Sequence, residues 1–305
     1  MVLHSLNSCQ DRAFERMHPL FLFVFFFIIM LLTMFSSHPL FLGISFTMSV
    51  IYLFFYCEKS VAIRNMKLAI GMICLVSIGN VLLTHNGSTV FIYLNHNALT
   101  LEALLRGLDL GTVIATEILW MMSANQLIHM DHVLYLFGRI LPTTSLTCSM
   151  ILRYLPLLQT RQTMISDAAT ACGRKTKNTL FVRAAEEIRE FSILLSWSLE
   201  ASIDTGDSME ARGYRLPGRT NYSKYHWKKK DIVLFIFLVS LGTMVGIILL
   251  SSEFSIYFYP RIILPAMHWK SYICLMGLIV YLCIPFYVEL SWQLLWNRID
   301  GGRIS

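Results

Sequence analysis

The sequence has 305 residues, of which 55% are hydrophobic and only 14% are charged. Soluble domains carry about 25% charged residues, so the composition excludes an ordinary soluble protein and indicates that lipid is the main solvent. The net charge is +6, and its distribution along the chain is informative because basic residues near membrane spans stay on the cytoplasmic side.

Six apolar segments are long enough, or nearly so, to cross the hydrocarbon core, which takes about 17–25 residues. Helices are expected, because backbone polar groups in lipid must be satisfied within each segment. The first segment lacks a small-residue cleavage site, so we interpret it as an uncleaved span and not as a signal peptide. The predicted spans cover residues 20–35, 40–56, 66–83, 110–128, 232–250 and 272–295.

The basic residues predict the orientation of these spans. Six crossings place 22 of the 25 Lys and Arg residues on one side, including Arg12 and Arg16, and leave Arg106, Arg261 and Lys270 on the other. The side that holds most of the basic residues is therefore predicted to be the cytoplasm, with both termini inside.

The same topology divides the chain into three regions. Residues 1–130 form a bundle of four spans, residues 131–230 form a cytoplasmic segment, and residues 231–305 form two further spans. A rival topology would make residues 133–152 a seventh span. It is disfavoured because that stretch contains Arg139 and Pro142, and because it would carry much of the basic segment outside.

Two long helices are predicted within the cytoplasmic segment. Residues 143–171 contain only Pro156 as a helix breaker and then meet Gly173, and residues 179–211 end at Gly213. Glycine just past a helix end is typical of a left-handed cap. An apolar run around Trp197 is too short to cross the bilayer, and indicates an amphipathic helix packed on the spans or on a partner.

The predicted fold class is therefore all-α: a polytopic helical membrane protein with about six transmembrane helices and two long amphipathic cytoplasmic helices. No phosphate-binding loop, zinc-protease motif or serine-nucleophile elbow is present in the sequence, so no catalytic site and no metal site is expected in this chain. Scattered cysteines without paired spacing predict neither a disulfide framework nor a structural metal.

Two carboxylates fall within predicted spans, Glu117 in the fourth and Glu289 in the sixth. Ionisable groups in the membrane interior are costly and often functional, so one interpretation is a proton or cation site of a secondary transporter. The other interpretation is a hydrogen-bonded polar contact with another helix. Both remain open, although neither helix carries a second carboxylate or a basic partner.

One stretch of the cytoplasmic segment resembles the signature of a known family. Residues 208–214 read Ser-Met-Glu-Ala-Arg-Gly-Tyr, and residues 131–139, 153–157, 197–200 and 218–220 resemble segments around that signature. The family is the transmembrane coupling subunit, or T component (CbiQ-like), of energy-coupling factor (ECF) transporters, which are ABC-type importers of bacteria and archaea. The resemblance covers about residues 80–231.

The resemblance implies a mechanism in which two cytoplasmic coupling helices each end in an Ala-Arg-Gly motif. Each motif docks on one of two ABC ATPase subunits, or on one fused ATPase, and the ATPases hold the ATP and Mg²⁺. Their movement shifts the helices and topples a membrane-embedded S component, which binds the vitamin or trace metal. The implied location is the plasma membrane.

The implied docking residues match the family unequally. Ala211, Arg212 and Gly213 match the second motif in full, whereas the first motif has Cys172 where arginine is expected. The implied docking residues of that first motif are Ala171, Cys172, Gly173 and Arg174. Symmetric docking is therefore in doubt, and two unlike ATPase sites are expected. The alternatives are a secondary transporter that uses Glu117 or Glu289, and a membrane scaffold.

Overall fold

The computed structural model describes residues 17–36, 38–84, 90–94, 97–173, 180–214, 216, 225, 227, 229–250 and 269–301. Within these ranges the chain forms nine helices and one antiparallel pair of strands. The elements are α1 (Pro19–Phe35), α2 (Pro39–Tyr56), α3 (Lys59–Leu83), β1 (Val90–Leu94), β2 (Asn97–Thr100), α4 (Leu101–Leu127), α5 (Met130–Ile140), α6 (Pro142–Ala171), α7 (Leu180–Ala211), α8 (Lys229–Leu249) and α9 (Trp269–Gly301).

The predicted fold class, a polytopic helical membrane protein, is confirmed. Among the described residues, four helices are long and apolar enough to cross a membrane: α2, α3, α8 and the Trp269–Ser291 part of α9. The apolar helix α1 is shorter, with 17 residues. Helix α4 begins at Leu101, nine residues before the predicted span. The predicted span started later because polar residues in the first turns lower the hydropathy without breaking the helix. The number of crossings and the sidedness of the chain stay predictions.

The rival seventh span at residues 133–152 is not one helix in the structure. Helix α5 ends at Ile140 and α6 begins at Pro142, with Leu141 in a non-helical conformation between them. Proline fits the first turn of a helix, where its missing N–H has no partner to lose, and it disfavours helical geometry in the preceding residue. Pro142 therefore starts a new helix.

A short β-hairpin precedes α4 and was missed by the sequence reasoning, which treated this stretch as an apolar patch too short to span. Leu94 pairs with Asn97 and Val90 with Thr100, and the register shifts between Val90 and Ile92. Short apolar runs leave helix and strand hard to distinguish. Thr100 also caps α4, because its side chain accepts a hydrogen bond from the Ala103 N–H.

The described chain divides into two compact units, residues 1–133 with 225–305, and residues 134–224. Aromatic side chains form the core of the first unit. Tyr281 stacks on Phe25 at 5.2 Å between ring centroids and donates a hydrogen bond to the Phe25 carbonyl. Tyr52 packs against Trp120 and donates a hydrogen bond to the Leu282 carbonyl at 2.7 Å. These contacts join α1, α2, α4 and α9, and leave their buried hydroxyls satisfied.

Helices α3 and α4 approach closely through small residues. A methyl group on Gly107 would lie 2.9 Å from Ser77 Cα, and one on Gly111 would lie 3.0 Å from the Ile73 carbonyl oxygen. Lipid supplies no hydrophobic drive between membrane helices, so van der Waals packing at small residues stabilises their association. The spacing Gly107-x-x-x-Gly111 places both glycines on one face of α4.

Two histidines begin the first two helices in the same way. His18 and His38 each precede a proline, and each ring Nδ1 accepts a hydrogen bond from the backbone N–H two residues later, at 3.3 Å. Burial lowers the pKa of both histidines, and at His18 the nearby Asp231 carboxylate partly opposes this effect. A lowered pKa favours the neutral ring, which is the form able to accept these hydrogen bonds.

Candidate functional site

The C-terminal tip of α7 is a complete Schellman cap. The Gly213 N–H donates to the Glu210 carbonyl at 2.9 Å, and the Tyr214 N–H donates to the Met209 carbonyl at 3.2 Å. Gly213 has φ +74°, a left-handed conformation that glycine adopts without the steric cost of a Cβ. Arg212 is therefore the cap residue itself, held between a regular helix and a fixed turn.

The Arg212 side chain is exposed at this tip. A further turn follows the cap, in which the Leu216 N–H donates to the Gly213 carbonyl at 3.1 Å. A cation at a helix C-terminus interacts favourably with the partial negative charge of the last carbonyls. The tip thus presents a permanent positive charge on an ordered backbone, a chemistry suited to holding a carboxylate of another protein.

The tip of α6 shares the bond from the capping glycine and its left-handed conformation, with a different side chain at the cap. The Gly173 N–H donates to the Thr170 carbonyl at 2.9 Å, and Gly173 has φ +72°. The cap residue is Cys172, whose side chain is exposed. Arg174 and residues 218–220 lie outside the described residues. In sequence Arg174 follows the capping glycine and so aligns with Tyr214, not with Arg212.

Helices α6 and α7 pack against each other within the second unit. The Arg161 guanidinium carbon lies 4.4 Å from the centroid of the Trp197 ring, and the Tyr154 and Thr205 hydroxyls are 2.6 Å apart. Residue numbers rise along α6 as they fall along α7, so the helices run antiparallel where they touch. The two tips therefore lie at opposite ends of the pair, separated along it by at most about 40 Å.

The face of α7 turned away from α6 is apolar and exposed in this single chain. Its large side chains recur at spacings of three, four or seven residues, which places them on one helix face. They are Phe181, Ile188, Phe191, Leu195, Leu199 and Ile203. An exposed apolar stripe of this length is typical of a surface that packs against another protein or lipid, as the amphipathic pattern in the sequence predicted.

The two carboxylates of the predicted spans lie on different helices. Glu117 of α4 is half-buried and accepts a hydrogen bond from the Thr33 hydroxyl of α1. Glu289 of α9 is buried. The Glu117 contact is of the kind expected under the second interpretation, a polar contact between helices. Thr33 was missed by the sequence reasoning, although a lone polar residue in a Phe-rich span is a detectable signal.

In the described ranges, no group of three or more His, Cys, Asp or Glu side chains is arranged to hold a metal ion.

Sequence reasoning also missed the Arg161–Trp197 contact. Trp197 stands out as the aromatic residue in the apolar run, but Arg161 is an ordinary charged residue on a long helix. Only the packing of α6 on α7 brings the two together.

Comparison with known proteins gives a partial similarity. Over 102 residues, 34% are identical to "Energy-coupling factor transporter transmembrane protein EcfT" of Lactobacillus helveticus (strain DPC 4571). The match covers 32% of this chain and 37% of that protein, so the chain spans well under half the length of the curated relative. No family model matches the chain.

Proposed function

We propose that the chain is the transmembrane coupling (T) component of an ECF-type ABC importer. The observation that carries the proposal is the exposed Arg212 at the Schellman cap of a 32-residue helix. The partial similarity to EcfT supports the same family. In this role the chain links ATP hydrolysis by partner ATPase subunits to movement of an S component, for uptake of a vitamin or trace metal.

The docking step follows from the chemistry of the α7 tip. The Arg212 guanidinium binds a carboxylate of an ATPase subunit, and its planar fork allows two parallel hydrogen bonds. The Schellman bonds hold the backbone on both sides of Arg212. Force applied at the guanidinium is therefore transmitted along α7 instead of being lost in a frayed helix end. The chain is non-catalytic in this scheme, and ATP and Mg²⁺ bind to the ATPases.

Two unlike ATPase sites are the proposed partners of the two tips. They belong to two ATPase subunits or to the two halves of a fused one. Arg212 calls for an acidic pocket, whereas Cys172 offers a short neutral thiol in the same backbone setting. A carboxylate facing Cys172 would lose the charge-assisted partner that Arg212 provides. The Cys172 site is therefore expected to be less acidic.

The S component is the proposed partner of the apolar face of α7. This face buries no large side chain in the single chain, and Ile188, Phe191 and Ile203 are each more than 60% exposed. Covering such side chains stabilises a complex by roughly 25 cal/mol per Å² of apolar surface removed from water.

We place the chain in the plasma membrane of a bacterium or archaeon, with both termini and both tips in the cytoplasm, where the ATPases are.

Copurification from detergent-solubilised membranes tests the docking role. The chain is coexpressed with its ATPase subunits, and Arg212→Ala and Arg212→Glu are compared with the wild type. We expect ATPase recovery to fall in Arg212→Ala and further in Arg212→Glu, because the latter places like charges together. Arg189→Ala, at an exposed position on the same helix, is the matched control and should copurify normally. Equal recovery in all four proteins would refute docking at Arg212.

A further inference from the structure

Two side-chain contacts join α6 to α7 at points about two helical turns apart. The Tyr154 hydroxyl meets the Thr205 hydroxyl at 2.6 Å, and the Arg161 guanidinium lies over the Trp197 ring at 4.4 Å. A single contact lets two helices pivot about it. Two contacts separated by about 10 Å along the helices fix their crossing angle as well as their distance.

Tyr154, Thr205, Arg161 and Trp197 form a clamp between the two helices, and their surroundings help to fix the crossing angle. Trp197 is half-buried, so its ring is fixed by packing, while Arg161 remains exposed and covers it from the solvent side. Thr205 also donates to the Ala201 carbonyl of its own helix at 2.7 Å, which restricts its hydroxyl rotamer. The Tyr154 hydroxyl therefore meets a partner that is already oriented.

The clamp also spans the weakest point of α6. Pro156 lies inside this helix, between Tyr154 and Arg161. Proline removes one backbone hydrogen bond from a helix interior and favours a kink there. Because one anchor lies on each side of Pro156, both halves of α6 are tied to the continuous helix α7, and bending at the proline is restrained.

The restraint matters because the two helix tips lie far from the contacts, so a small change in crossing angle becomes a large displacement at a tip. Arg212 lies about 22 Å beyond Trp197 along α7, and Cys172 lies about 17 Å beyond Arg161 along α6, at 1.5 Å per residue. If the Arg161–Trp197 contact is lost, the helices pivot about Tyr154 and Thr205, and a change of about 10° in the crossing angle moves Cys172, about 27 Å from that pivot, by about 5 Å relative to α7. That displacement exceeds the tolerance of a hydrogen-bonded docking contact.

We propose that Arg161 and Trp197, with Tyr154 and Thr205, are positioning residues that fix the crossing angle of the two helices, and so the position of each tip relative to the other helix. This rests on the proposed function to the extent that the tips dock on ATPase subunits. Because the clamp makes the two helices move as one rigid body, movement of either ATPase displaces both coupling helices together. Loss of the clamp leaves each tip able to dock but lets the helices pivot, which separates ATP hydrolysis from transport.

The first test measures the distance between the α6 tip and the part of α7 at the same end of the helix pair, by double electron–electron resonance on the full chain in liposomes. Spin labels are attached to Cys172 and to Glu187→Cys, both at exposed positions and both about 27 Å along their helices from Tyr154 and Thr205, with the other cysteines replaced by serine. At this end the label distance changes strongly with the crossing angle. We expect Trp197→Leu to broaden the distance distribution, while Trp197→Phe, which keeps an aromatic face for the cation, stays close to the parent.

Variants of the exposed Arg161 repeat this test without disturbing packed side chains. Arg161→Met should broaden the distribution, and Arg161→Lys should largely restore it. Arg189→Met, at an exposed position of α7, is the matched control and should leave the distribution unchanged. Distributions as narrow in Trp197→Leu and Arg161→Met as in the parent would overturn the clamp.

The second test measures coupling in the complex with ATPase and S component. Trp197→Leu and Arg161→Met should copurify with the ATPases, but substrate taken up per ATP hydrolysed should fall about two- to fivefold, the size expected for loss of one exposed cation–π contact. Unchanged uptake per ATP would overturn the positioning role. If the wild-type chain binds no ATPase, the proposed function fails, while the distance measurement still decides whether the clamp exists.

Discussion

Cys172 and Arg212 occupy the same position in two helix caps of the same kind. Each is the cap residue, each is followed by a glycine with φ above +70°, and in each cap the glycine N–H bonds to the carbonyl three residues earlier. The two tips therefore differ in side-chain chemistry and not in this part of the backbone geometry. Under the proposed function, the thiol and the guanidinium are the side chains at this position that distinguish the two tips for their partners.

Making the tips alike tests that selection. Cys172→Arg should recruit the ATPase site that normally takes Arg212, because the backbone already holds the residue in the same setting. The stoichiometry of the two ATPase subunits in the purified complex measures this, and we expect it to shift toward the subunit that binds Arg212. Cys148→Arg, at an exposed position inside α6, is the control. An unchanged stoichiometry together with wild-type uptake would contradict unlike sites.

The capping glycines predict a graded effect on the helix ends. Gly173→Ala and Gly213→Ala each place a Cβ at positive φ, which costs about 1–2 kcal/mol. At Gly213 the new Cβ would also lie 3.1 Å from Leu216 Cδ1, whereas the space beside Gly173 is open. Faster hydrogen exchange in the last turn of α7 in Gly213→Ala is the expected result.

Gly206→Ala supplies the control for these two variants. Gly206 lies inside α7 with open space beside it, so alanine should stabilise the helix by about 0.5–1 kcal/mol. If all three variants exchanged like the wild type, the caps would not be holding the tips.

Much of the tip architecture was predictable from the sequence, because its signals are local. A long stretch with a single helix breaker, followed by glycine, predicted each of the two long helices, and the structure ends them at Ala171 and Ala211, as predicted. The contacts of Arg161 with Trp197 and of Thr33 with Glu117 were not predictable. They depend on how distant helices pack, and no local pattern encodes the pairing. Assignment of Arg212 to an ATPase remains a prediction.

The close packing of α3 on α4 gives a stability prediction. Gly107→Ala should lower the thermal stability of the purified chain, because the added methyl group would meet the backbone of Ser77, which cannot rotate away. Overpacking of this kind costs about 1–3 kcal/mol. Gly71→Ala is the matched control on α3, since nothing lies within 4 Å of its new Cβ. Equal melting temperatures for the two variants would contradict the packing.

The polar contact at Glu117 separates the proposed function from a secondary transporter. Glu117→Gln keeps an oxygen that accepts from the Thr33 hydroxyl, so ATP-dependent uptake should remain near the wild-type rate. Thr33→Val removes the donor and should reduce thermal stability by about 1–3 kcal/mol, since it leaves a half-buried acceptor without this bond. Loss of uptake in Glu117→Gln, with stability and complex assembly intact, would favour a proton or cation site.

Uptake into liposomes tests the central claim most directly. The chain is reconstituted with its ATPase subunits and S component, and uptake of the S component's substrate is followed with and without ATP. We predict uptake that requires ATP and falls at least about tenfold in Arg212→Glu, because disrupting a hydrogen-bonded charge pair at an interface costs about 2–5 kcal/mol. Uptake driven by an ion gradient in liposomes that hold this chain alone, without nucleotide, would contradict it.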